Sequence, residues 1–108
     1  MSRFASLLFL FVLLASTPLQ AQEAGDPRAG LSLAREVCAM CHAVSGGQTL
    51  SPDPEAPTFG QIARVPGMTP PALTVALQTS HKTMPNIMLK PDELRNIAAY
   101  ITSLQDRP

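Results

Sequence analysis

Cys38-Ala39-Met40-Cys41-His42 is the stretch from which the rest of this chain is read. Two thiols three residues apart fall on one face of a helical turn. Both can therefore add to the vinyl groups of a single porphyrin, forming two thioether bonds. The residue that follows, His42, then lies beneath the ring and presents an imidazole nitrogen to an iron. Cys-x-x-Cys-His in this order is the attachment signature of c-type haem.

Three other chemistries compete for these residues. A Cys38–Cys41 disulfide closes so short a loop that it removes little chain entropy, and it leaves His42 without a role. A thioredoxin-like redox pair belongs in a βαβ setting, whereas no segment here alternates apolar and polar residues as a strand does. Zinc requires more ligands than two Cys and the unrelated His42 and His81 readily supply. Covalently attached haem c, with its iron, is the reading that accounts for all three side chains.

Size and composition agree with it. The chain has 108 residues, 45% of them apolar, enough for one small domain. Eight basic and eight acidic residues cancel, which argues against a nucleic-acid partner or a polybasic membrane-surface protein. Residues 1–21 read as an export signal: Arg3 supplies the positive start, Phe4 to Ala15 the apolar run, and Ala21 a small residue for the peptidase. The run is broken by Ser16, Thr17 and Pro18 before it reaches the about 20 residues that a membrane span needs. Cleavage after Ala21 leaves residues 22–108 as a single domain with no stable membrane insertion. Its aromatic residues are then Phe59 and Tyr100. A domain this small usually needs a staple or a cofactor to complete its interior.

The chain reads as all-α, with three to four helices. Asp26-Pro27 is a cap followed by a proline at the first helical position. Leu31, Ala34, Cys38 and Cys41 share one face behind it, so the first helix is expected to carry both cysteines. Residues 45–56 are rich in turn formers and form a surface loop. Phe59, Ile62 and Ala63 suit one helical turn. Thr69-Pro70-Pro71 opens another helix, with Leu73, Ala76 and Leu77 inward and an end near Thr79-Ser80. Pro91-Asp92-Glu93 starts the last helix, whose stripe is Leu94, Ile97, Ala98, Ile101 and Leu104; Lys90 is a poor cap for it.

The iron's second axial position has four candidates, Met68, His81, Met84 and Met88. Met84 is favoured because Pro85 stiffens the backbone and disfavours helix at the residue before it, holding the thioether in an aperiodic loop. Met88 comes next. His81 would give bis-His iron at lower potential, since Met/His ligation raises it.

The chain resembles the class I soluble c-type cytochromes, from Gly30 to Leu104. The resemblance rests on Cys38-Ala39-Met40-Cys41-His42, Ala56-Pro57-Thr58-Phe59, Met84-Pro85 and Ala99-Tyr100-Ile101. It implies a few helices wrapped round one haem, with the first and last helices crossing where Ile97 and Tyr100 pack on Gly30. It also implies that the Pro57 carbonyl accepts a hydrogen bond from the ring nitrogen of His42 that does not face the iron. Two features depart from the family. Ala34 stands where an aromatic is usual, which should thin the crossing, and the usual aromatic partners of the haem propionates have no match. Arg64 and Lys82 are possible substitutes.

With both axial places filled, the iron changes oxidation state without binding a reactant. The expected function is a periplasmic one-electron carrier and not an enzyme. It would shuttle between a dehydrogenase or quinol-oxidising complex and a terminal oxidase or reductase. A monomer, it would dock briefly at the haem edge near Cys38 and Cys41. The alternatives are a haem enzyme or gas-sensing unit with an open axial position, and a haem subunit of a larger dehydrogenase.

Overall fold

Asp26 caps the first helix: its side chain accepts a hydrogen bond from the Arg28 N–H at 2.9 Å, and Pro27 follows at the first helical position. The structure is a computed structural model that describes residues 24–79, 81 and 83–107. The proposed leader, and Lys82, lie outside the described residues. Four helices follow in order: α1 (Pro27–Val37), α2 (Phe59–Ala63), α3 (Pro70–Leu77) and α4 (Pro91–Thr102). The fold is all-α, in agreement with the sequence; among the described residues the only β-type pairing is an isolated bridge between His81 and Met84.

Each helix start has a local chemical cause. Thr58 and Gln61 form a reciprocal cap on α2: the Gln61 N–H donates to Thr58 Oγ1 at 3.0 Å, and the Thr58 N–H donates to Gln61 Oε1 at 2.8 Å. Thr69 Oγ1 accepts from the Ala72 N–H at 3.3 Å and opens α3. At α4, Lys90 makes no side-chain cap. Glu93 compensates by accepting the Lys90 N–H at 2.8 Å, and with Asp92 it places two acids at the positive end of the helix.

Two helix ends fall earlier than the periodicity predicts. Helix α3 stops at Leu77, with Gln78 as its C-cap. More consequentially, α1 stops at Val37 with Cys38 as its C-cap, so it does not carry both cysteines. The Ala39 N–H reaches back five residues to the Ala34 carbonyl at 3.0 Å, widening the last turn. The Cys41 and His42 N–H groups then both donate to the Cys38 carbonyl, at 3.2 and 3.0 Å. Cys41 therefore sits in a turn beyond the end of the helix's regular ladder.

Helices α1 and α4 pack directly on each other. Gly30 is buried at the crossing, where a β-carbon would fall inside contact distance of the Asn96 carbonyl and 2.8 Å from Tyr100 Cβ. Tyr100 is thus where the resemblance put it, the Asn96 backbone lies beside it, and Ile97 is fully buried in the core. The Asp26 N–H donates to Asn96 Oδ1 at 2.8 Å and ties the start of α1 to α4.

Ala34, Val44, Phe59, Ala63, Leu73, Ile97, Ala98, Tyr100, Ile101 and Leu104 form the apolar core. Ala34 is fully buried there, so its small side chain belongs to a tight contact. The whole apolar stripe expected of α4 is buried. Residues 45–56 form an irregular loop in which Gly47 has φ +83°, a left-handed conformation open to glycine at little steric cost.

Candidate haem-binding site

One cleft gathers the chemistry. Cys38, Cys41 and His42 line it, and Met84, Pro85 and Ile87 from the loop before α4 line it too. Asp53 and Ala56 contribute from the loop after the attachment sequence. Residues more than 40 positions apart, such as His42 and Met84, are thus brought round one space. A wider groove between α3 and α4, lined in part by Pro71, Val75, Arg95 and Ala99, holds no thiol, imidazole or thioether.

The cysteines are both free thiols, Cys38 half-buried and Cys41 exposed. Burial pushes the Cys38 thiol pKa up. Among the described residues, no group of three or more His, Cys, Asp or Glu side chains could hold a bare metal ion.

His42 is held from several sides. Its Nδ1 lies 2.7 Å from the Pro57 carbonyl oxygen. A carbonyl only accepts, so Nδ1 carries the proton and the lone pair of the neutral ring is on Nε2. The Phe59 ring lies against it, with centroids 5.6 Å apart and planes tilted by 52°. Just beyond, the Ala43 carbonyl accepts the Phe59 N–H at 2.9 Å, and the Tyr100 hydroxyl donates to the Val44 carbonyl. Helices α2 and α4 thereby grip the two residues after His42.

Of the candidates for the opposite axial place, Met84 is half-buried and lines the cleft. Its N–H donates to the His81 carbonyl at 3.0 Å. Met88 is 91% exposed and lies outside the cleft lining. His81 is exposed, and Met68 packs on the apolar core from the loop between α2 and α3. Arg64, a possible propionate partner, is exposed at the C-cap of α2.

This donor set fits a haem. Two free thiols, an imidazole with Nε2 free and a thioether are the groups that a covalently attached, His/Met-ligated porphyrin requires. Sequence reasoning missed two features of the site. Thr58-x-x-Gln61 is a legible capping signal that went unread. The bonds that Asp53 makes to Cys41 and Ser51 to Ala43 leave no signal in the sequence.

Residues 25–101 match the family described as Cytochrome C oxidase, cbb3-type, subunit III. The chain is also similar to cytochrome c-552 of Bradyrhizobium diazoefficiens (strain JCM 10833 / BCRC 13528 / IAM 13628 / NBRC 14792 / USDA 110). The identity is 37% over 98 residues, covering 91% of this chain and 90% of that protein. No solved structure matches. The chain belongs to the cytochrome c family. Its cofactor is covalently bound haem c with iron, and its general role is electron transport with redox partner proteins. No helix among the described residues is long and apolar enough to cross a membrane.

Proposed function

We propose that this protein is a periplasmic one-electron carrier, not an enzyme, in which His42 and Met84 would hold the haem iron. The reading is carried by one observation: both thiols, His42 and Met84 line the same cleft. When bound, haem c supplies an iron that gains and loses one electron. Cys38 and Cys41 anchor the group. His42 directs Nε2 into the cleft because Nδ1 is committed to Pro57, and that hydrogen bond also strengthens the imidazole as a donor. Met84 would supply the second ligand, and a thioether there would raise the potential relative to a second imidazole. Ala56, Pro85 and Ile87 add apolar lining that keeps water away.

With neither axial place open, the protein exchanges electrons without binding a small substrate. Its partners are a dehydrogenase or quinol-oxidising complex on one side and an oxidase or reductase on the other. Docking is brief, over an area below about 1,200 Å², at the edge near Cys38 and Cys41, where Met40 is 87% exposed. Without Arg3 the chain keeps seven basic and eight acidic residues, and so small a net charge leaves steering to local patches. The leader at residues 1–21 is removed, and 22–108 works as a monomer.

The test is the exported protein itself. Its mass should equal residues 22–108 plus one haem. Its ferric spectrum should show the weak red band of sulfur-to-iron charge transfer. Absence of that band together with carbon monoxide binding would favour an enzyme or gas sensor with an open position. A second reading, a haem subunit of a larger complex, is favoured by the description of the matching family as an oxidase subunit. Co-purification with a stoichiometric partner would support it over a free carrier.

A further inference from the structure

Three hydrogen bonds from one short segment reach three consecutive residues, the last two of the attachment sequence and Ala43 just after it. The Asp53 N–H donates to the Cys41 carbonyl at 3.1 Å. The Pro57 carbonyl accepts from His42 Nδ1 at 2.7 Å, and Ser51 Oγ accepts the Ala43 N–H at 3.0 Å. Residues 51–57 thus run as a strap along residues 41–43. The strap is itself braced, since Asp53 Oδ1 accepts the Glu55 N–H at 2.9 Å and the Asp53 carbonyl accepts the Ala56 N–H at 3.1 Å.

We propose that Ser51 is a positioning residue for His42. The proposal rests on His42 being the iron's axial nitrogen, as argued above. Of the three bonds, those of Asp53 and Pro57 come from the backbone, and any side chain at those positions would keep them. Ser51 alone contributes through its side chain, so it is the position where residue choice decides whether the strap is closed. Its target is confined: Ala43 is 2% exposed, its carbonyl is held by the Phe59 N–H, and its own N–H has the Ser51 hydroxyl as acceptor. Water has little access to replace that bond.

Ser51 therefore acts on His42 through Ala43. Fixing the Ala43 peptide fixes the backbone from which the imidazole projects, and with it the alignment of Nδ1 on the Pro57 carbonyl. Without the hydroxyl, the strap and the attachment turn separate at that point and the Nδ1 hydrogen bond weakens. A weaker hydrogen bond makes the imidazole a poorer donor and favours the ferrous state. The reduction potential then rises.

The test compares wild type with Ser51→Ala and Ser51→Thr, all with covalent haem confirmed by mass. In wild type, the Ala43 amide should exchange with solvent as slowly as the core amides of α4. In Ser51→Ala it should exchange about tenfold faster, with a higher potential and shifted ferric His42 ring resonances. Ser51→Thr, which keeps the hydroxyl, should restore all three. An unchanged potential and ring signature in Ser51→Ala would overturn the proposal. So would rapid Ala43 exchange in wild type, a measurement that requires no variant to fold. If His42→Ala left the ferric spectrum unchanged, the axial assignment would be the part that failed.

Discussion

His42 Nδ1 and the carbonyl oxygen of Pro57 are 2.7 Å apart although 15 positions separate them in the chain. That one contact sets the tautomer of the imidazole and leaves Nε2 as its free donor atom. Nε2 would then be the atom offered to a bound iron, and Met84 is the thioether that lines the same cleft.

Met84→Ala should open the sixth position. The red charge-transfer band disappears, carbon monoxide binds the ferrous protein, and the potential falls because the thioether that raises it is gone. Optical titration reads all three. An unchanged spectrum would transfer the role to Met88, despite its 91% exposure.

Cys38→Ala/Cys41→Ala should abolish cooperative folding. Much of the cleft wall would lose the group it encloses, and a domain of this size gains little from its own apolar burial. Circular dichroism during heating should then show a gradual loss of helix. A sharp transition in the haem-free variant would count against the expectation.

Gly30→Ala should destabilise the protein by about 1–3 kcal/mol through overpacking. The new methyl would press on the Asn96 carbonyl and on Tyr100 Cβ, 2.8 Å away, and neither a backbone carbonyl nor a Cβ is a flexible side-chain end that could yield. Denaturant titration should show a lower midpoint with an unchanged slope.

Tyr100→Phe should cost about 1–3 kcal/mol, since the nearly buried Val44 carbonyl loses its donor. Burial raises the Tyr100 pKa above the ordinary phenol value, and the charges of Arg107 and Arg35 only partly oppose this. The unfolded chain therefore releases the phenolic proton first as pH rises. The contribution of Tyr100 is complete below about pH 10 and is lost as pH climbs through the folded value. Stability measured against pH should lose that alkaline component in Tyr100→Phe.

Much of the fold is local and so was legible. Asp26-Pro27 and Thr69-Pro70 start helices because their side-chain oxygens and fixed φ act on the next few residues. The stripe from Leu94 to Leu104 is buried as its spacing implies. The end of α1 was not legible. Continuing the apolar face through Cys41 looked sound, but the Ala39 N–H bonds five residues back and ends the regular ladder at Val37. Nor does periodicity reveal that Asn96 meets Asp26 and Gly30, because that depends on how two helices cross.

The order of residues alone determined which groups this protein can use: a Cys-x-x-Cys-His anchor, a methionine before a proline, and helices begun by their own caps. These follow from chemistry that acts over a few positions. The tertiary structure decided which nitrogen of His42 is free, that Met84 and not Met88 lines the cleft, and that Ser51 closes onto Ala43. Each of those depends on segments distant in the chain meeting within hydrogen-bond or van der Waals reach. Only the packing of α1 against α4, with the loops folded round the cleft, brings them there.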